Sequence, residues 1–423
     1  MKKLRILSLF LAVVMVLFLF AGCGKEAETV TQSNTPAASG ETSETPAAEN
    51  PSEPITLKVW ESDGPEKEFM EEMAAQYMKE NPNVTIVVEP VASVDAAQRM
   101  QLDGPAGVGA DVFVAPHDKL GEMISSGIIL ENAYAEEVKK VMVDAAITAT
   151  SYDGKLYGYP IGVETYALFY NKDLVSDPPE TWEEIEEFCK KFNDKSQGKY
   201  GIVWDVDDAY YGYMFLSSYG ADLFGPDGTD KSKHMINSEE AIKGMEYFQK
   251  FRKEYLDVDA ADLTGDFMNA GFQNGTIAMV ITGPWSIEGY KEAGVNFGVT
   301  TLPKLPGSDQ VPHSFSGIRA LYVSAYSKYP EEAQKFAYYC ITKEALTKRY
   351  EITSQIPPRN DIQITDEANN GILAQFVYSK PMPSIPAMNT YWSVMGSAYA
   401  NIWNGSDIRT ELDLAASAVE STE

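Results

Sequence analysis

Along this chain, short stretches of alternating apolar and polar residues trade places with longer stretches of helical spacing. From Ile55, "ITLKVW" alternates as a strand. "EKEFMEEMAAQYMKENP" then sets Phe69, Met73 and Tyr77 on one helical stripe, which reads as core. "VTIVVEP" and "ADVFVAP" (Ala110–Pro116) are two further strands. "TWEEIEEFCKKF" opens on a capping box, Thr181 with Glu184, and predicts a helix burying Trp182, Ile185, Phe188 and Phe192. "SEEAIKGMEYFQKFRKEY" predicts another amphipathic helix, and "FMNAGFQNGTIAMVITGPW" predicts a helix, an Asn274-Gly275 turn and a strand. Further helices are expected at "PEEAQKFAYYCITKEALTKRY" and towards the C-terminus. Strands alternating with helices predict an α/β architecture with a mainly parallel sheet. One extended run is unlike the others. "YGYPIGVETYALFYNKDL" (157–174) is aromatic and β-branched, yet it holds a single acid, Glu164, among apolar neighbours.

Ahead of Ile55 the pattern changes. Lys2, Lys3 and Arg5 precede an apolar run, Ile6 to Phe20, that is short for a membrane span and ends in Ala21-Gly22-Cys23. Residues 1–22 are therefore expected to be a signal peptide. "LFAGC" resembles the bacterial lipobox, in which the cysteine, here Cys23, carries the lipid. From Gly24 to Pro54 there is no aromatic residue and one large aliphatic, Val30, too little to offset the entropy of ordering. Residues 23–54 are thus expected to be a lipid-anchored, disordered tether, with a reach of roughly 30 Å. The expected location is the outer face of a bacterial cell membrane.

At 423 residues the chain has room for two or three domains, and 44% hydrophobic residues can fill their cores. The formal charge of −28 sets a repulsive field against nucleic acids and anionic lipid. Beyond Cys23 only Cys189 and Cys340 remain, both in helix-like apolar settings that suit buried free thiols. No Walker A, G-x-G-x-x-G, H-E-x-x-H or G-x-S-x-G sequence is present. His117, His234 and His313 have no ligand spacing and read as ordinary surface or hinge histidines. Ser196 and Lys199 match S-x-x-K by chance, without the companion motifs. Asp257, Asp259, Asp262 and Asp266 lack the glycine and closing Glu of a calcium loop and read as a solvated face. No metal and no cofactor is expected.

Aromatic residues point elsewhere. Among 24 Tyr, 18 Phe and 6 Trp, several cluster beside acids and prolines at element ends: "WDVDDAYYGY" (204–213), "TGPWS" (282–286) and "PMPSIPAMNTYW" (381–392). Any one ring has about even odds of being plain packing. As a set, flat rings flanked by carboxylates suit a ligand with apolar faces and a hydroxyl rim, which describes a sugar.

In order and spacing, "YPIGVETYALFYNKDLVSDPPETWEEI", "FQNGTIAMVITGPW", "NFGVTTLPKLPG" and "PMPSIPAMNTYW" resemble the maltose/maltodextrin-binding proteins, the family-one extracellular solute-binding components of ABC transporters. The resemblance covers nearly all of the chain from Ile55. It implies a two-lobed periplasmic-binding-protein fold of type II, with a hinge crossed several times. On that reading the first lobe is 55–163 with 320–366, and the second is 164–319 with 367–423. Carried over position by position, the site comprises Ser62 in the first cleft loop, the acid Asp118 with the basic Lys119, and the hinge carboxylate Glu164. Asp208 and Tyr210 form the acid-x-aromatic pair of the second lobe, Trp285 and Trp392 are the stacking rings, and Met382 is the pocket methionine. Ala115 stands where the family's best-known members have tryptophan, and Pro65 where they have lysine, so one ring and one cationic donor are missing. The implied partners are a pair of permease subunits with cytoplasmic ATPases, and the implied state is a monomer. Other readings stay open: a same-fold protein for another solute such as a polyamine, a glycoside hydrolase using Glu164 with Asp208 or Asp118, or a surface adhesin for starch.

Overall fold

A computed structural model describes residues 53–225 and 228–422. The predicted signal peptide, Cys23 and the tether up to residue 52 lie outside the described residues. The strands, in chain order, are β1 (Ile55–Glu61), β2 (Val84–Pro90), β3 (Val112–Pro116), β4 (Ser151–Tyr152), β5 (Lys155–Leu156), β6 (Tyr159–Thr165), β7 (Ala167–Asn171), β8 (Tyr200–Val203), β9 (Ile277–Thr282), β10 (Phe297–Thr300), β11 (Phe315–Val323) and β12 (Lys380–Pro381). They build two lobes, each around its own sheet.

The first sheet runs β12-β11-β3-β1-β2, with β6 on the other edge of β11. Strand β1 is parallel to both β2 and β3 and has apolar residues on both faces. Leu57 and Val59 meet Phe69 of helix Pro65–Glu80, Phe336 of helix Pro330–Tyr339 and Leu346 of helix Lys343–Thr353. Trp60 turns the other way, towards Met100 of helix Ser93–Asp103 and Met123 of helix Leu120–Ser125. A strand alternating between two apolar cores reads as a continuous hydrophobic run, as "LKVW" nearly does.

The second sheet runs β10-β7-β9-β8. Its core holds Trp182 of helix Trp182–Phe192, Phe248 and Phe251 of helix Glu239–Tyr255, and Tyr399 and Trp403 of helix Ala387–Trp403. The capping box at Thr181 and Glu184 forms, with both reciprocal hydrogen bonds present. Phe188 and Phe192 are only half-buried and stack on each other at 5.2 Å. Cys189 and Cys340 are buried free thiols.

One expectation changes. Both sheets are mixed, because the strands that cross between lobes run against their neighbours: β11 is antiparallel to β3 and β6, and β7 is antiparallel to β9 and β10. The stretch 330–350 forms two helices, since Thr342 caps a new one by accepting a hydrogen bond from the Ala345 N–H at 3.3 Å.

The run 157–174 is the first crossing. β6 ends at Thr165 in the first sheet and β7 begins at Ala167 in the second, so one buried residue, Tyr166, separates them. The Thr165 hydroxyl donates to the Phe315 carbonyl at 2.7 Å and ties this crossing to β11. Behind the first cleft loop lies a buried polar network. Arg349 donates to Glu61 Oε2 at 3.3 Å and to Gln355 Oε1 at 2.9 Å, and Gln355 donates to Glu66 Oε1 at 2.6 Å. Burial raises the Glu61 carboxyl above its usual range, against the opposing charges of Arg349 and Arg319.

Candidate functional site

The carboxyl ends of β3 in the first sheet and of β8 and β9 in the second lead into segments that line one cleft, where α/β folds place ligands. The cavity there is about 490 Å³, within the roughly 300–1,000 Å³ span of small-molecule sites. A depression of about 590 Å³ around Asn81, Lys328 and Glu332 is larger, but Tyr329 is the one aromatic residue lining it. Of the nine ligand-binding candidates from sequence, eight line the cleft cavity: Asp118, Lys119, Glu164, Asp208, Tyr210, Trp285, Met382 and Trp392. Ser62 does not line it. Its Oγ accepts the Ser93 N–H at 3.1 Å, which secures the start of helix Ser93–Asp103.

Asp118 sits on the single turn His117–Lys119 that follows β3 and is 4% exposed. Its Oδ2 accepts the Trp392 indole N–H at 2.9 Å and lies 3.7 Å from Lys119 Nζ. Its Oδ1 is buried, with no hydrogen-bond partner among the described residues. A carboxylate oxygen in that state costs free energy unless a donor arrives from the cavity. Lys119 reaches the other way and donates to Asn389 Oδ1 at 2.9 Å. His117 is fully enclosed. Its Nδ1 accepts the Ile318 N–H at 3.1 Å, which leaves Nε2 to donate to the Met382 carbonyl at 3.0 Å. Burial lowers its pKa and favours that neutral ring, so His117 is a structural tie between β3, β11 and the Met382 loop.

The second lobe contributes through turns. Asp208 caps helix Ala209–Ser217, its Oδ1 accepting the Tyr210 N–H at 2.8 Å. The residue's surface is open, but the cleft walls crowd its carboxyl and raise its pKa, with the Tyr210 N–H opposing. Tyr210 lies 6.2 Å from Trp285 and 6.5 Å from Trp392, ring centre to ring centre, so the three rings surround one space. Trp285 folds back over Gly283, where any Cβ would sit 2.2 Å from the indole. Trp392 belongs to helix Ala387–Trp403, not to the loop its Pro-rich approach suggests. Of the remaining aromatics of those segments, Trp204, Tyr213 and Tyr391 are buried core, while Tyr211, also buried, lines the cavity beside Tyr210.

Glu164 has a partner within the protein. Arg319, on β11, donates from Nε to Glu164 Oε2 at 2.9 Å and from Nη1 to Ser93 Oγ. Gly317 lies opposite Glu164 in the β6–β11 register, and a Cβ there would meet Met382 Cε at 2.7 Å. Sequence reasoning missed Arg319, together with Asp207 and Val94, which also line the cavity. The available signal was a lone arginine in "SFSGIRALYVS", an apolar strand, mirroring the lone acid in β6.

Asp205, just behind the cleft, has its carboxyl pushed up to about 7 by burial, then by a hydrogen bond with Asp207 and the charges of Asp208 and Asp207. The folded state therefore holds this proton more tightly than the unfolded chain, whose aspartates titrate near pH 3.9. Its contribution to stability is complete below about pH 4 and is lost as pH rises towards 7. In Asp205→Asn that loss disappears, so the variant's melting temperature should gain on wild type between pH 4 and pH 8. A difference that stays constant with pH in scanning calorimetry would contradict this.

No group of three or more metal-ligating side chains occurs among the described residues, and no helix among them is long and apolar enough to cross a membrane. Comparison with known proteins adds a family. The family model for bacterial extracellular solute-binding proteins matches residues 72–374. The galactooligosaccharide-binding protein of Bacillus subtilis is 33% identical over 98% of this chain and 97% of its own. The maltodextrin-binding protein MdxE of Bacillus subtilis is 30% identical over 83% and 85%. Among solved structures, a cyclo/maltodextrin-binding protein complexed with maltotetraose is 36% identical, covering 87% of this chain and 97% of that one, with a TM-score of 0.71.

Proposed function

The chain belongs to the bacterial extracellular solute-binding proteins, and from that premise we propose that it captures malto-oligosaccharides for an ABC importer. It is the oligosaccharide-binding component, and its family is non-catalytic, which removes the hydrolase reading. The observation that carries the proposal is the ring of Tyr210, Trp285 and Trp392 around a cavity edged by Asp118, Glu164 and Asp208. A pyranose offers apolar C–H faces to the rings and hydroxyl donors to the acids. Each face covered, about 80 Å², contributes about 2 kcal/mol.

Ligand held by both lobes favours the closed arrangement, and that shape is what a permease would recognise. Cys23 supplies the lipid anchor in this scheme. A second reading is favoured by one observation: the relative that binds galactooligosaccharide matches along almost the full chain. The same rings and acids suit either neutral glucan or galactan.

Titration of intrinsic fluorescence with maltotriose, maltotetraose and β-1,4-galactotriose separates these. Trp60, Trp182, Trp204 and Trp403 are sealed in cores, while Trp285 and Trp392 border the cavity, so binding should be reported by those two indoles. A saturable change with maltodextrins is expected. Saturation by galactotriose alone moves the assignment to galactan, and no response with no heat of mixing rejects the oligosaccharide site.

A further inference from the structure

We propose that Arg319 is itself a ligand-binding residue: a cationic donor, mounted on the crossing strand β11, for the ring and hydroxyl oxygens of a bound neutral sugar. The assignment rests on the oligosaccharide reading above. Arg319 lines the cavity together with Glu164, Pro116 and Met382. A guanidinium carries five N–H groups, and here Nε serves Glu164 and Nη1 serves Ser93. Nη2 has no hydrogen-bond partner among the described residues, and the side chain is only 12% exposed. Its remaining hydrogens therefore have the cavity as their outlet.

The head group is also preset. Ser93 Oγ receives one arm, and the Ser93 N–H is fixed in turn by Ser62 Oγ. A donor whose orientation is already fixed loses little freedom on binding. Burial would weaken the Arg319 charge, but Glu164 foremost, with Glu61 and Glu66, holds its proton more tightly than usual. Beside one another, Glu164 and Arg319 present an acceptor and a donor with no net charge. A sugar hydroxyl, which both gives and takes a hydrogen bond, matches that pair. A carboxylate does not, because Glu164, Asp118, Asp207 and Asp208 outnumber Arg319 and Lys119 around the cavity. The lysine missing at Pro65 thus has a functional counterpart on another wall of the cleft.

A purely structural Arg319, serving only as counter-ion to Glu164, predicts something different, and a double-mutant cycle separates the two. Calorimetric affinities for maltotriose and β-1,4-galactotriose are measured for wild type, E164Q, R319M and E164Q/R319M, with melting temperatures recorded alongside. Once Glu164 is neutral, removing Arg319 should cost about a further tenfold or more in affinity if the guanidinium touches the sugar. An affinity for E164Q/R319M within about twofold of E164Q overturns the assignment. The double variant removes both charges of the pair, so it remains informative even where R319M alone folds poorly. A galacturonic acid trimer should not compete, and its tight binding to wild type would also overturn the assignment. Failure of wild type to bind either neutral trimer rejects the oligosaccharide reading, and this assignment with it.

Discussion

Alanine at position 392 is expected to lower oligosaccharide affinity by at least about thirtyfold, measured by isothermal calorimetry with whichever trimer binds wild type. The loss has two sources. The indole face covers about 80 Å² of sugar C–H surface, about 2 kcal/mol at the usual area coefficient, which corresponds to roughly thirtyfold. The indole N–H also holds Asp118 Oδ2 at 2.9 Å, and without it the carboxylate is free to turn away from the cavity. Trp392→Phe restores a ring but not the donor and should fall between alanine and wild type. Because Trp392 is only half-buried, thermal stability should change little. Unchanged affinity in Trp392→Ala would mean that the sugar does not lie against this wall.

The largest stability effect is expected at Arg349, which does not line the cleft cavity. Its side chain is 1% exposed and its partner Glu61 is 0% exposed, 3.3 Å away. Arg349→Met leaves a buried carboxylate without its counter-ion and removes the cation held 5.1 Å over the Phe69 ring. Breaking a buried pair on one side typically costs about 3–5 kcal/mol. Urea titration should show that loss as a lower midpoint with an unchanged slope. In E61Q/R349M much of the loss should return, because both charges are gone. A change under about 1 kcal/mol in R349M would mean that Glu61 takes up a proton and tolerates isolation, which the upward pull of burial on its pKa already favours.

Much of the fold was visible in sequence because it depends on local rules. Phe69, Met73 and Tyr77 share a stripe in an observed helix, and Thr181 with Glu184 caps another. The mixed sheets were not visible, since strand direction depends on which lobe a crossing segment comes from. The eight candidates that share one cavity came from residue chemistry joined to a family resemblance. Ser62 illustrates the limit: a hydroxyl in a cleft loop reads the same whether it serves a ligand or a helix end. Arg319 illustrates a different one. A lone acid in an apolar strand was singled out, while its counter-ion, 155 positions further on, was not sought in the matching strand. Buried charges come in pairs, and finding one is a reason to look for the other.

The hand-over at Tyr166 has an evolutionary consequence. One residue links strands belonging to different sheets, and successive side chains there point to opposite sides. Inserting or deleting a single amino acid between 159 and 171 would move one strand's side chains to the opposite face of its sheet, and these strands are buried on both faces. Asp118, Asp208 and Trp285, by contrast, are borne on turns that accept exchange of side chains without altering chain length. Drift in appetite among sugars should therefore be written in substitutions on those turns, with the count of residues through the hinge held constant.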